Sequence, residues 1–180
     1  YEIVCIALPW DTVDDAWTVR PRAWDAASIQ GFMLELGPAS SLFDIVTFAA
    51  LFFVVCPATV GASWAKLAAA GNVAGMTTFA AIFQSGWFVE SMWSQTLVIH
   101  MLRSPRLPSL RDHAAPALCL LTVLGLVLVT WLPASPIADA LGLMPLPPIF
   151  FALLIGIVAA YIALTQLAKR RYIARHGELL

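Results

Sequence analysis

Four runs of apolar residues constrain this chain more than anything else in it. They lie at 31–55, 76–102, 114–132 and 149–168. Each meets the roughly 20 residues needed to cross the hydrocarbon of a bilayer. In lipid every backbone N–H and C=O must be satisfied within the segment, so runs of this kind fold as helices. Charged residues make up only 12% of the chain, against about 25% in soluble domains. The expected fold is therefore all-α, an integral membrane helical bundle of four transmembrane helices. Residues 1–8 add a short apolar piece that stops at Pro9. It is too short to cross and reads as the end of a preceding helix. With Tyr1 rather than Met in first place, the chain reads as a piece or a processed product.

The connections differ in character. Residues 10–30, WDTVDDAWTVRPRAWDAASIQ, are polar and acidic and read as a loop. The 57–75 stretch, PATVGASWAKLAAAGNVAG, reads as a loop holding a short interfacial helix. A basic loop, RSPRLPSLRDH, occupies 103–113, a Pro-rich turn 133–148, and KRRYIARHGELL closes the chain. Of ten Lys and Arg residues, all but Lys66 fall in 10–30, in 103–113 or after 168. Four crossings put those three regions on one side, and the excess of positive charge makes that side cytoplasmic. A net charge of −1 gives no ground for a nucleic-acid partner. Cys5, Cys56 and Cys119 are far apart in apolar surroundings, without metal-binding spacing.

Polar residues inside the runs carry the functional signal. The second run contains Glu90, and an acid at bilayer depth costs roughly 2.5 kcal/mol or more. At about 100° per residue, Gln84, Ser91 and Gln95 fall nearly on one line. Trp87, Glu90 and Ser94 widen the same side to an arc of roughly 140°. In the first run Ser40, Asp44 and Thr47 also share a face. The third and fourth runs show no such stripe, and His100 reads as interfacial. One reading makes these side chains glue between helices. The other gives Glu90 and Asp44 a cation or a proton, because no Lys, Arg or His occurs at matching depth in any run. A protease dyad would need carboxyls sharing a proton at close range, and nothing in the spacing asks for that.

Several stretches go further. YEIVCIALPWDTVDD, RPRAWDAASIQGFMLELGPASSLFDIVTF and FQSGWFVESMWSQTLVIHMLRSPRLP closely resemble the C-terminal membrane region of magnesium-transporting P-type ATPases. YIALTQLAKRRYIARHG resembles that region's last helix. The resemblance implies that 1–9 ends transmembrane helix six, that 10–30 is a cytoplasmic loop, and that 31–180 forms helices seven to ten. It implies metal ligands at Glu90, Glu2 and Asp44, with Ser94, Gln95, Ser91 and Gln84 as supporting polar groups. Glu2 departs from the family, which usually has Asp there. The implied cargo is Mg²⁺, moved across the inner (plasma) membrane. The implied partners are helices one to six, the cytoplasmic domains and the lipid bilayer, with anionic lipids at the basic loops. The DKTGT phosphorylation motif and the nucleotide-binding motifs are not in this sequence. ATP would then be bound and hydrolysed only in other domains of the parent translocase, and this piece alone is no enzyme. The alternative is a standalone four-helix scaffold or regulator without transport activity.

Overall fold

The structure is a computed structural model that describes residues 2–11, 26–102 and 114–176. The expected basic loop at 103–113 and most of the 10–30 loop lie outside these residues, as do Arg20, Arg22, Arg103, Arg106 and Arg111. The described residues form helices and turns, with no strand among them. The helices are α1 (Glu2–Cys5), α2 (Ala26–Ala50), α3 (Cys56–Val60), α4 (Trp64–Ala69), α5 (Val73–Leu102), α6 (Pro116–Trp131) and α7 (Pro148–His176).

Three helical stretches are long and apolar enough to cross a membrane: Ser41–Val60, Pro116–Ala134 and Pro148–Arg175. The fourth expected crossing, α5, is long enough at 30 residues. It is less apolar than the others because Gln84, Glu90, Gln95 and His100 lie along it. Length and composition together therefore support three crossings among the described residues, and α5 meets the length alone.

Two expected helix starts moved, α2 beginning at Ala26 inside the stretch read as the 10–30 loop and α5 at Val73 rather than 76, and two expected ends moved as well. The first run does not end at residue 55: the helix carries on through Pro57 to Val60. Proline lacks an N–H, and its ring presses on the carbonyl four residues back. A π turn over Leu51–Val55 widens the coil just before it, with the Cys56 N–H reaching back five residues to the Leu51 carbonyl. Gly61, at φ 82°, then closes the helix by donating to the Pro57 carbonyl at 2.9 Å. The second moved end is in the last helix, which runs past residue 168 to His176. The start of α5 is set by Asn72, whose side-chain oxygen accepts the Gly75 N–H at 2.9 Å.

The chain divides into two compact units. One comprises Tyr1–Leu42, Ser94–Gly125 and Ala160–Leu180. In it α1 is docked: Val4 and Ala7 pack on Leu118 of α6, with Ile99 and Leu121 around them. Asp11 holds the entrance of α6 by accepting the Ala115 N–H at 2.8 Å. His100, half-buried, shares a 2.7 Å hydrogen bond with the Thr122 hydroxyl. Lys169 is 1% exposed and donates to the Met101 carbonyl at 2.8 Å, near the end of α5. A cation there also meets the negative end of the helix dipole.

The other unit comprises Phe43–Trp93 and Leu126–Ala159. Its core joins Leu51, Phe79, Ile82, Val89, Phe150 and Leu154, all buried. Gly86 allows the closest approach: a Cβ there would lie 2.5 Å from Leu51 Cδ2 and 3.2 Å from Phe150 Cε2. Phe48 stacks on Phe83 with ring centroids 5.5 Å apart and tilts against Trp87 at 5.6 Å. The Ser85 hydroxyl donates to the Ala81 carbonyl at 2.7 Å and accepts the Met144 N–H at 2.8 Å, which ties the Pro-rich turn to α5. Leu124, Val127, Phe53 and Ile155 stay exposed on the helix surfaces, as residues that meet lipid do.

Candidate functional site

Glu90 sits on α5, one helical turn beyond Gly86. The bare glycine lets the π turn that continues α2 come close, and its Leu51 side chain lies where a Cβ would be. From α2, Thr47 and Asp44 are spaced i and i−3 and reach the same region. Glu90 is 1% exposed and Thr47 1% exposed. Asp44 is half-buried. Asp44 and the Thr47 hydroxyl, both of α2, stand beside the Glu90 carboxyl. Glu90 Oε2 and Thr47 Oγ1 are both buried without a hydrogen-bond partner among the described residues. The only basic residue in this unit's sequence, Lys66, is exposed on α4.

Two acids and a hydroxyl facing one another from two helices form an all-oxygen set. Oxygen sets suit hard cations such as Mg²⁺ and Ca²⁺. The set is incomplete as a cage. Among the described residues, no three of His, Cys, Asp and Glu gather closely enough to hold a metal ion.

The other expected site residues are distributed differently. Glu2 is exposed on α1, in the unit that does not contain Glu90. The polar stripe of α5 splits. Ser94 is buried, Ser91 is half-buried and hydrogen-bonded or otherwise engaged, and Gln84 and Gln95 are exposed. The Ser40 side chain lies outside what is described. Periodicity gave the common side of the helix, but the covered strip is narrower than that side.

Two residues gained weight only in three dimensions. Thr47 stood on the expected face, yet its hydroxyl orientation has no sequence signal. Lys169 read as the first solvated residue after the last crossing; instead it is buried within α7. Its acceptor, the Met101 carbonyl, is a backbone atom far away in the chain, which no local pattern announces.

Comparison with known proteins agrees with this architecture. Residues 3–171 match the family model of the cation transporting ATPase C-terminus. The magnesium-transporting ATPase, P-type 1, of Salmonella typhimurium is 40% identical over 178 residues, which is 99% of this chain and 18% of that protein. The protein of the same name from Escherichia coli K12 is 37% identical over 177 residues, 98% of this chain and 18% of its own length. The chain thus spans under a fifth of the length of these relatives. An all-helical, multi-pass membrane chain that matches the family model over 3–171 belongs to the cation-transporting ATPase C-terminus family.

Proposed function

We propose that this chain is the C-terminal membrane part of a P-type pump that carries Mg²⁺, and that Glu90 and Asp44 line the path of the ion. The observation that carries the reading is the Glu90 carboxyl, 1% exposed, with Oε2 unpartnered and a second acid beside it. Burying an acid without a hydrogen-bonded partner is costly. A path for a divalent cation accounts for that cost, and packing alone does not. The relatives' names add Mg²⁺ as the cargo. Mg²⁺ keeps several waters and takes few protein ligands at a time, which fits a two-helix, partly open set.

The rest of the reading follows from the pump. ATP is bound and hydrolysed in domains outside this chain, and those domains with helices one to six are its partners. Loops 10–30 and 103–113 and the C-terminus face the cytoplasm, where their Lys and Arg residues meet anionic lipid headgroups of the inner membrane. Glu2 joins the ion path on the strength of the resemblance alone. Identity across 99% of the chain to a named transporter favours this reading over a standalone scaffold.

The test is ATPase activity of the full-length pump against Mg²⁺ concentration. Glu90→Gln keeps size and removes charge. It should raise the Mg²⁺ needed for half-saturation on the order of ten-fold, about 1.4 kcal/mol of ion binding. Abundance in the membrane should stay unchanged. A Glu90→Gln titration that overlays wild type across the whole range overturns the reading and leaves Glu90 as helix–helix glue.

A further inference from the structure

Hydroxyls inside apolar helices usually satisfy themselves. A Ser or Thr can turn its oxygen back to the carbonyl four residues earlier. Several described residues do so: Thr59 to Val55 at 2.8 Å, Thr77 to Val73 and Thr78 to Ala74 at 3.0 Å, and Ser85 to Ala81 and Thr130 to Leu126 at 2.7 Å. Thr47 does not. Its Oγ1 is buried, has no partner, and stands beside the Glu90 carboxyl. The free bond back to its own helix is forgone, although residue 47 lies in the last turn of α2 and the carbonyl of residue 43 is in reach of one rotamer. Besides Thr47 Oγ1 and Glu90 Oε2, the buried side-chain atoms without a partner among the described residues are Thr165 Oγ1 and Gln166 Nε2, neighbours on α7 in the other unit.

A buried polar atom left unpaired, where an easy pairing exists, marks a place at which function competes with packing. We infer that the Thr47 hydroxyl is a neutral oxygen of the Glu90 site, offered to the hydration shell of a divalent cation held by the two carboxylates. A hydroxyl suits this place because it both donates and accepts. With a hydrated ion present it turns its lone pairs toward the ion's waters. It adds an oxygen without adding charge between two acids that already repel each other. This inference rests on the reading of Glu90 given above.

The experiment compares Thr47→Val, Thr47→Ser and Glu90→Gln in the full-length pump. Two quantities are read: the Mg²⁺ concentration for half-maximal ATPase activity, and the rise in unfolding temperature that Mg²⁺ gives without ATP. Valine has nearly the shape of threonine, so it removes the oxygen alone. Thr47→Val should raise the half-saturating Mg²⁺ about five-fold. It should also shrink the Mg²⁺-induced thermal shift. Its unfolding temperature without Mg²⁺ should be equal to wild type or higher, since a buried unpaired hydroxyl is gone. Thr47→Ser should restore both readouts. If Glu90→Gln moves both readouts and Thr47→Val moves neither, the Thr47 inference fails and the Glu90 site stands. If neither variant moves them, the site itself is wrong. Should the valine variant fail to accumulate, Thr47→Cys keeps the volume with a weak sulfur ligand, and it must then show the same Mg²⁺ shift or the inference fails.

Discussion

Gly86 offers a sharp test of the packing that brings α2 to Glu90. An alanine there places a methyl 2.5 Å from Leu51 Cδ2, 3.2 Å from Cδ1 and 3.2 Å from Phe150 Cε2. Neither neighbour has room to retreat: Leu51 is 1% and Phe150 2% exposed. Two effects oppose each other. Gly→Ala in a helix interior gains about 1 kcal/mol of propensity. Overpacking a tight core costs about 1–3 kcal/mol. Gly156 separates them, because a Cβ added in the middle of α7 meets nothing within 4 Å. Subtracting Gly156→Ala from Gly86→Ala cancels the propensity and leaves the steric cost. At about 2–4 °C per kcal/mol for a chain of this size, the two variants should unfold about 2–12 °C apart, Gly86→Ala lower. The assay is thermal unfolding of the purified protein in mild detergent. Adding Leu51→Val to Gly86→Ala should recover part of the loss, since the two sites share one contact. Gly86→Ala unfolding at or above Gly156→Ala would refute the close approach of α2 and α5.

Two further outcomes can be checked. Thr122→Val should destabilise by about 1–3 kcal/mol because it takes away the bond between the Thr122 hydroxyl and the His100 ring, while Thr122→Ser should be near neutral in the same unfolding assay. For topology, single cysteines at Lys66 and Asp139 should react from outside intact cells, and one at Arg171 only from the cytoplasmic side. Exposed Cys119 and half-buried Cys5 must be replaced first, and labelling of positions 139 and 171 from one side would reverse the assignment.

The sequence held the four long helices in plain view, because apolar length is a local property. It misplaced ends where a distant or unusual partner decides. Pro57 reads as a stop, but the π turn at Leu51–Val55 carries the helix past it. Lys169 reads as the first solvated residue after the last crossing, but it is buried against the Met101 carbonyl. The same division holds at the site. Glu90 was legible as a buried acid from the apolar residues around it, and Asp44 from its place in the first run. Gln84 and Gln95 belong to the same helical side yet stay exposed. Helical spacing tells which residues share a side and says nothing of how much of that side a neighbour covers. Thr47 was legible as a position and not as a role, since a rotamer choice leaves no mark on the sequence.

The Lys169–Met101 bond also bears on the order in which the protein is made. The ribosome releases Val73–Leu102 before Pro148–His176, so the carbonyl that receives the ammonium is already in the membrane when the last helix arrives. A lysine within an apolar segment is a poor passenger for insertion when it has nothing to bind. Delivered last, it enters beside a finished helix end. A circular permutation that moved α7 ahead of α5 would keep every native contact in the final fold. It would also leave the buried lysine without the Met101 carbonyl while α7 waits for α5, and such a chain should be retained by quality control far more than the natural order.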